Sequence, residues 1–267
     1  MPFLDEILSE LRETVTDPDY GVGVPSTAAR PRPSLRQALL AARGPGGLIV
    51  EYKRVSPGQA APVLPTRTVR AFVETTRARA TAYSCLATSP RFRGSPVDVA
   101  QLVRATDRPV LFKDFVIDAR QVEVAARTGA SAILLIARLS EAGVPTKRLA
   151  SLAEEAHRLG LEVVLEFHHR SELSQGADVA ADVYGVNARD LDSLSIDRTT
   201  AEATLRAADA KGLHPLLGLS GVESAADARR FWEHGADGIL VGTSVARASD
   251  PAGFLSTLVR PAPGGSP

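Results

Sequence analysis

From residue 47 onward the chain repeats one unit: a short, continuously apolar run of strand length, then an amphipathic stretch long enough for a helix. The runs are GLIVEY (47–52), AYSCLA (82–87), PVLF (109–112), AILLIA (132–137), EVVLEF (162–167), VYGVN (183–187), PLLGLS (215–220) and GILVG (238–242). They do not alternate apolar with polar, so each is expected to be covered on both faces. Between them lie TRTVRAFVETTRA, VDVAQLVRA, ARQVEVAARTG, VPTKRLASLAEEAHRLG and SAADARRFWEHG, with apolar residues at helical spacing. Gly129, Gly160 and Gly235 close three of these stretches, where a left-handed cap is expected. Eight strands, each followed by a helix, predict an α/β fold, a closed parallel (β/α)8 barrel of the TIM type. The competing arrangement is an open doubly wound sheet. It usually has fewer strands and a G-x-G-x-x-G turn after the first, which this chain lacks.

Two segments precede the first strand. DEILSELRETVT (5–16) sets Leu8, Leu11 and Val15 at helical spacing, and PSLRQALLAAR (33–43) opens with a Pro and a Ser that can cap a helix. The expected organisation is an N-terminal helical extension over 1–46, a barrel catalytic domain over 47–260, and a disordered tail, PAPGGSP, over 261–267.

Charge excludes some partners. Basic and acidic residues balance at 31 each, which points to neither nucleic acid nor an acidic membrane surface. The N-terminus is acidic and amphipathic, without the basic start and apolar core of a signal peptide. No run of about 18 apolar residues is present to span a bilayer, so a soluble, cytoplasmic protein is expected. Cys85 is the single cysteine and sits in an apolar run, which excludes an intrachain disulfide and suggests a buried, inert thiol. His168 and His169 are adjacent and the other three histidines are scattered, so no zinc-ligand spacing exists and no metal is expected. Only four cations are lysines (53, 113, 147 and 211), the other 27 being arginines. Where Arg is the default, Lys53 and Lys113 beside apolar strands call for a reason.

In such a barrel, chemistry collects at the C-terminal ends of the strands. The first run closes with Glu51 and Lys53, which point the same way on an extended chain, followed by Ser56-Pro57. The third closes with Lys113-Asp114, the fifth with Glu166, and the sixth with Asn187 followed by Arg189-Asp190. Each has a plain structural alternative. Lys53 could pair with Glu51 at the rim, Glu166 could belong to a surface loop, and Asp114 and Asp190 could brace their loops. Recurrence at one end of successive strands favours a shared site. Ser220-Gly221 and Gly242-Thr243 after the last two strands leave backbone N–H groups open to approach, as phosphate sites of this fold do. A small phosphorylated substrate is therefore the expected ligand.

Together, EYKRVSP, SPRFRGS, PVLFKDFVID, AILLIA, GLEVVLEFH, GVNARDLDSLSID, LSGV and GADGILVGTSVARASDP resemble the indole-3-glycerol phosphate synthase family over roughly residues 30–258. The resemblance implies decarboxylation and cyclisation of 1-(2-carboxyphenylamino)-1-deoxyribulose 5-phosphate, a step of tryptophan biosynthesis. It assigns Lys113 as general acid and Glu166 as base. Lys53, oriented by Glu51, would meet the substrate carboxylate and help expel water. Asn187 and Arg189 would be polar contacts around that carboxylate, and Ser56, Ser220, Gly221, Gly242 and Thr243 the phosphate end. No cofactor is implied, because the iminium formed on cyclisation drives the decarboxylation.

Departures accompany the match. Leu219 stands where the family carries Glu, Thr88 lies where an acid is usual, Gly58 replaces the second Ser of Ser-Pro-Ser, and Arg79 replaces a Gly. Loss of two acids should alter the electrostatics around the lysines. Three readings follow: the family's reaction, a paralogue acting on a related arylamino sugar phosphate, or a silent barrel serving as binding subunit to a neighbouring pathway enzyme.

Overall fold

In the computed structural model, which describes residues 3–27, 31–55, 68–88 and 91–261, the eight apolar runs pair in chain order into one closed parallel barrel. Its strands are β1 (Gly47–Tyr52), β2 (Ala82–Leu86), β3 (Val110–Lys113), β4 (Ala132–Ile136), β5 (Glu162–Phe167), β6 (Val183–Asn187), β7 (Leu216–Leu219) and β8 (Gly238–Val241). Nearly every strand residue is buried, which is why the runs carry no alternation.

The N-terminal helices are α1 (Phe3–Thr16) and α2 (Leu35–Ala41). Around the barrel follow α3 (Val69–Thr76), α4 (Pro96–Ala105), α5 (Ala119–Thr128), α6 (Thr146–Arg158), α7 (Arg198–Ala210), α8 (Ala225–Glu233), α9 (Thr243–Arg247) and α10 (Pro251–Thr257). The side chains of Ser34, Thr68, Ser95, Asp118, Asp197, Ser224 and Asp250 each accept a first-turn N–H. Gly129, Gly160 and Gly235 all have positive φ, as the helix-ending glycines should. One expectation fails: β5 is followed by no α-helix. The link to β6 is a 3₁₀ turn, Arg170–Ala177. Its sequence, RSELSQGA, offers only Leu173 as a large apolar residue, too little for a buried helical stripe.

The two N-terminal helices close opposite ends of the barrel. Leu35 and Leu39 of α2 are fully buried. Leu39 fits because Gly47 and Gly238, paired in register, have no side chains: a Cβ on Gly47 would stand 2.7 Å from its methyl. Ser34 and the Arg36 N–H both donate to Glu162 at the start of β5, which pins this end. At the other end α1 buries Leu4, Ile7, Leu8, Leu11 and Val15, each contributing about 1.5–3 kcal/mol. Phe3 meets Phe92 edge-on at 6.1 Å. Arg91 lies 5.5 Å over the Phe3 ring and pairs with Glu6 at 3.0 Å and Glu10 at 2.6 Å. The α1 helix is thereby tied to the loop after β2, across the mouth where the strands end.

Candidate active site

Glu51 and Lys53 emerge together from β1, with Lys53 Nζ 2.7 Å from Glu51 Oε1. Burial alone would raise the Glu51 carboxyl; Lys53, Lys113 and Arg189 outweigh it and hold the group below its ordinary value, so Glu51 is a carboxylate. Gly242 lies against this pair: a Cβ there would stand 2.8 Å from Glu51 Oε1 and 3.1 Å from Lys53 Nζ. A side chain at 242 would therefore make the ion pair shift.

Lys113 ends β3 and faces the same cavity as Glu51, Lys53, Asn187 and Arg189. The next residue turns inward. Asp114 accepts hydrogen bonds from Thr88 Oγ1 at 2.7 Å, the Phe115 N–H at 2.9 Å and Gln121 Nε2 at 3.1 Å. Burial raises its carboxyl. Asp114 is thus a brace between the loops after β2 and β3, and Thr88 sits behind the site with its hydroxyl committed to that brace.

Asn187 links two neighbours. Its Nδ2 donates to Glu166 Oε1 at 3.1 Å, and its Oδ1 accepts the Arg189 N–H at 3.0 Å. Arg189 donates to the Leu194 carbonyl at 2.6 Å, and burial lowers its pKa. Asp190 accepts from the Asp192 and Ser193 N–H groups and the Ser193 hydroxyl, so it braces its loop, as its structural reading foresaw. Glu166 is 1 % exposed and lies beneath Asn187 rather than on the cavity wall.

After β7 the backbone turns through two consecutive left-handed residues, Ser220 at φ 64° and Gly221 at φ 73°. A Cβ on Gly221 would meet Ile196 at 2.9 Å, so glycine is required there on both counts. Ser220, Gly221, Gly242 and Thr243 line one side of the cavity, and Ser244 donates to the Val222 carbonyl at 2.6 Å, joining the two loops. Ser56 lies outside the described residues.

Sequence reading missed the apolar wall. Phe3, Leu86, Phe92, Phe115, Leu191 and Leu194 line the cavity, as does the carboxylate of Glu223. Phe92 lies in the matching stretch SPRFRGS, but its meeting with Phe3 carries no signal in the chain, because α1 and the loop after β2 meet only in the folded molecule. Leu219 also faces the cavity, yet is 1 % exposed. Its methyl packs over Gly185 of β6, 2.7 Å from where a Cβ would stand.

The chain is a closed TIM barrel whose strand ends gather three cations around a buried carboxylate, and its relatives place it among the enzymes of the TIM-barrel lyase and isomerase superfamily. Solved barrels share the fold: 3-hexulose-6-phosphate synthase from Salmonella typhimurium superposes with a TM-score of 0.62 at 14 % identity, over 79 % of this chain and 96 % of that one. A tryptophan synthase α-subunit mutant from Pyrococcus furiosus gives 0.59 at 14 % identity, over 80 % and 97 %. The sequence profile of indole-3-glycerol phosphate synthase matches residues 4–258. Enzymes of that name from Exiguobacterium sibiricum (33 % identity over 97 % of both chains) and Methanopyrus kandleri (37 % over 96 % and 97 %) are similar throughout. Indole-3-glycerol phosphate synthase 2 of Streptomyces coelicolor is 38 % identical over 85 % of this chain and 86 % of its own. The chain belongs to the indole-3-glycerol phosphate synthase family.

Proposed function

We propose that the protein converts 1-(2-carboxyphenylamino)-1-deoxyribulose 5-phosphate to indole-3-glycerol phosphate, carbon dioxide and water. The observation that carries this is the grouping of Lys53, Lys113 and Arg189 around Glu51 in a cavity with an apolar wall. Such a cavity suits a ligand that is anionic at the carboxylate and phosphate and aromatic between them.

Ring closure joins the aryl carbon that bears the carboxylate to the ketone carbon. Lys113 donates the proton the ketone oxygen needs. The iminium so formed draws electrons from the carboxylate–ring bond, and carbon dioxide leaves. The remaining hydroxyl departs as water once protonated, Lys53 being placed to assist, while Glu166 accepts the proton lost from carbon. Asn187 and Arg189 hold the carboxylate, and Ser56, Ser220, Gly221, Gly242 and Thr243 receive the phosphate. Glu166 reaches its proton when Asn187 exchanges its bond to Glu166 for one to substrate. Replacing Lys113 with Met should lower kcat by about 10²–10⁴-fold while substrate still binds. Equal turnover in the variant would remove Lys113 from the chemistry.

A second reading, a related arylamino sugar phosphate as substrate, draws on Leu219. Where the family places a carboxylate, this cavity has a methyl packed over Gly185, which favours an apolar substituent on the ligand.

A further inference from the structure

Four of the buried side-chain atoms without a hydrogen-bond partner fall in one cluster behind the cavity: Glu166 Oε2, His168 Nδ1, His168 Nε2 and Glu172 Oε1. Buried polar groups are normally satisfied, so a cluster of exceptions calls for an explanation. His168 follows Glu166 by two residues and its ring turns to the same side of the chain. Its Nε2 lies 3.5 Å from Glu166 Oε1, and its Nδ1 lies 3.9 Å from Glu172 Oε2 on the 3₁₀ turn. The His168 backbone N–H donates to that same Glu172 oxygen at 2.7 Å, fixing the carboxyl beside the ring. Behind Glu172 stands Arg138, 3.9 Å away, which also meets Glu141 and Asp192 at the surface.

We propose that His168 is a positioning residue: Glu172 fixes its tautomer so that Nε2–H points at Glu166 and holds that carboxylate as a proton acceptor. The proposal rests on Glu166 being the base described above. A protonated Glu172 donates its O–H to Nδ1, which leaves the ring proton on Nε2, facing Glu166 Oε1. Both separations exceed a good hydrogen bond and need to shorten when substrate displaces Asn187, a tightening usual in catalytic sites. The charge states fit. Burial pushes Glu172 up to about 7, against the pull of the His168 N–H and Arg138. Burial also lowers His168, opposed by Glu166 and Asp190 and reinforced by His169 and Arg138, so the ring is neutral. Glu141 also raises Glu172, and the His169 backbone N–H lowers it. Loss of the Glu172 proton turns Nδ1 into the donor and sets the Nε2 lone pair against the Glu166 carboxylate.

Two measurements on the full chain separate the proposal from the function it rests on. Nitrogen-15 imidazole spectra, with His168 assigned by its loss in His168→Gln, need no turnover. The expected result is a neutral ring with its proton on Nε2 at pH 6, changing as pH passes about 7, and no such change in Glu172→Gln. A proton on Nδ1 from pH 5 to 8 in both proteins would overturn the proposal. In turnover, His168→Phe should lower kcat about ten- to hundredfold with KM within about twofold, the loss of one bond to a charged group. His168→Gln, which keeps a donor, should recover part of this, and thermal melts of both show whether they fold. If Glu166→Gln abolishes turnover while folded His168→Phe keeps wild-type kcat and pH profile, the proposal fails. If Glu166→Gln is fully active, the base assignment fails instead, and the spectra alone decide the tautomer.

Discussion

At the residue scale Gly242 packs against the Glu51–Lys53 pair, and the proposed phosphate site would give it a second duty; the two predict different kinetics. A side chain there would block approach of a phosphate in the proposed site, and its Cβ would press on Glu51 and Lys53. Gly242→Val should therefore lower kcat as well as raise KM, with kcat down about ten- to hundredfold if one charge-assisted bond is lost. A rise in KM alone would mean that the ion pair yields freely and only the phosphate end is affected. Glu172 makes a second prediction, in stability. Its carboxyl titrates near 4.3 in an unfolded chain and near 7 when folded, so between these values the native state binds more protons. Its contribution to stability is complete below the lower value and lost as pH rises through the higher. Replacing it with Gln removes the penalty of a buried charge, so Glu172→Gln should gain more stability relative to wild type at pH 8 than at pH 5. Denaturant melts at the two pH values check this, and an equal difference at both would contradict it.

At the scale of elements, the α1 helix belongs to the site. Arg91 reaches it from the loop after β2 through two half-exposed ion pairs and the Phe3 ring. Such pairs contribute about 0–1 kcal/mol each, so Arg91→Ala should cost only a small drop in melting temperature. The same change frees Phe3 and Phe92 from the cavity wall and should raise KM severalfold. An unchanged KM would show that α1 covers the mouth without shaping it. This clamp was not legible in the sequence: Phe3 and Phe92 are far apart in the chain, and although SPRFRGS stands out as a matching stretch, nothing in it names α1 as its partner. The strands were legible to within a residue or two, since burial on both faces writes itself as an unbroken apolar run. The missing helix after β5 went unnoticed for the opposite reason: alternation of strand and helix is a rule of the fold, and RSELSQGA had to be judged on its own apolar content.

Over the whole molecule, the mouth of the barrel was readable because barrel geometry collects strand ends, so residues scattered from Glu51 to Thr243 could be assigned to one place. Depth was not readable. Lys53, Lys113, Asn187 and Arg189 reach the cavity, while Glu166 lies beneath Asn187, and only side-chain packing distinguishes these. Asp114 and Thr88 show the same limit: both stand at strand ends, yet their hydrogen bonds turn them away from the cavity. Leu219 stands where the resemblance to the family implies a carboxylate. A carboxylate there would line the same cavity as Lys53 and Lys113, and its loss would cost the proposed reaction about 1.5–3 kcal/mol if one bond to a charged group disappears. The direct measurement is indole fluorescence from purified protein given 1-(2-carboxyphenylamino)-1-deoxyribulose 5-phosphate in the presence of a metal chelator. A slow, chelator-insensitive reaction that Leu219→Glu accelerates about ten- to hundredfold is the expected result. Wild type and Leu219→Glu both inert on this substrate would contradict it and point to a different arylamino sugar phosphate.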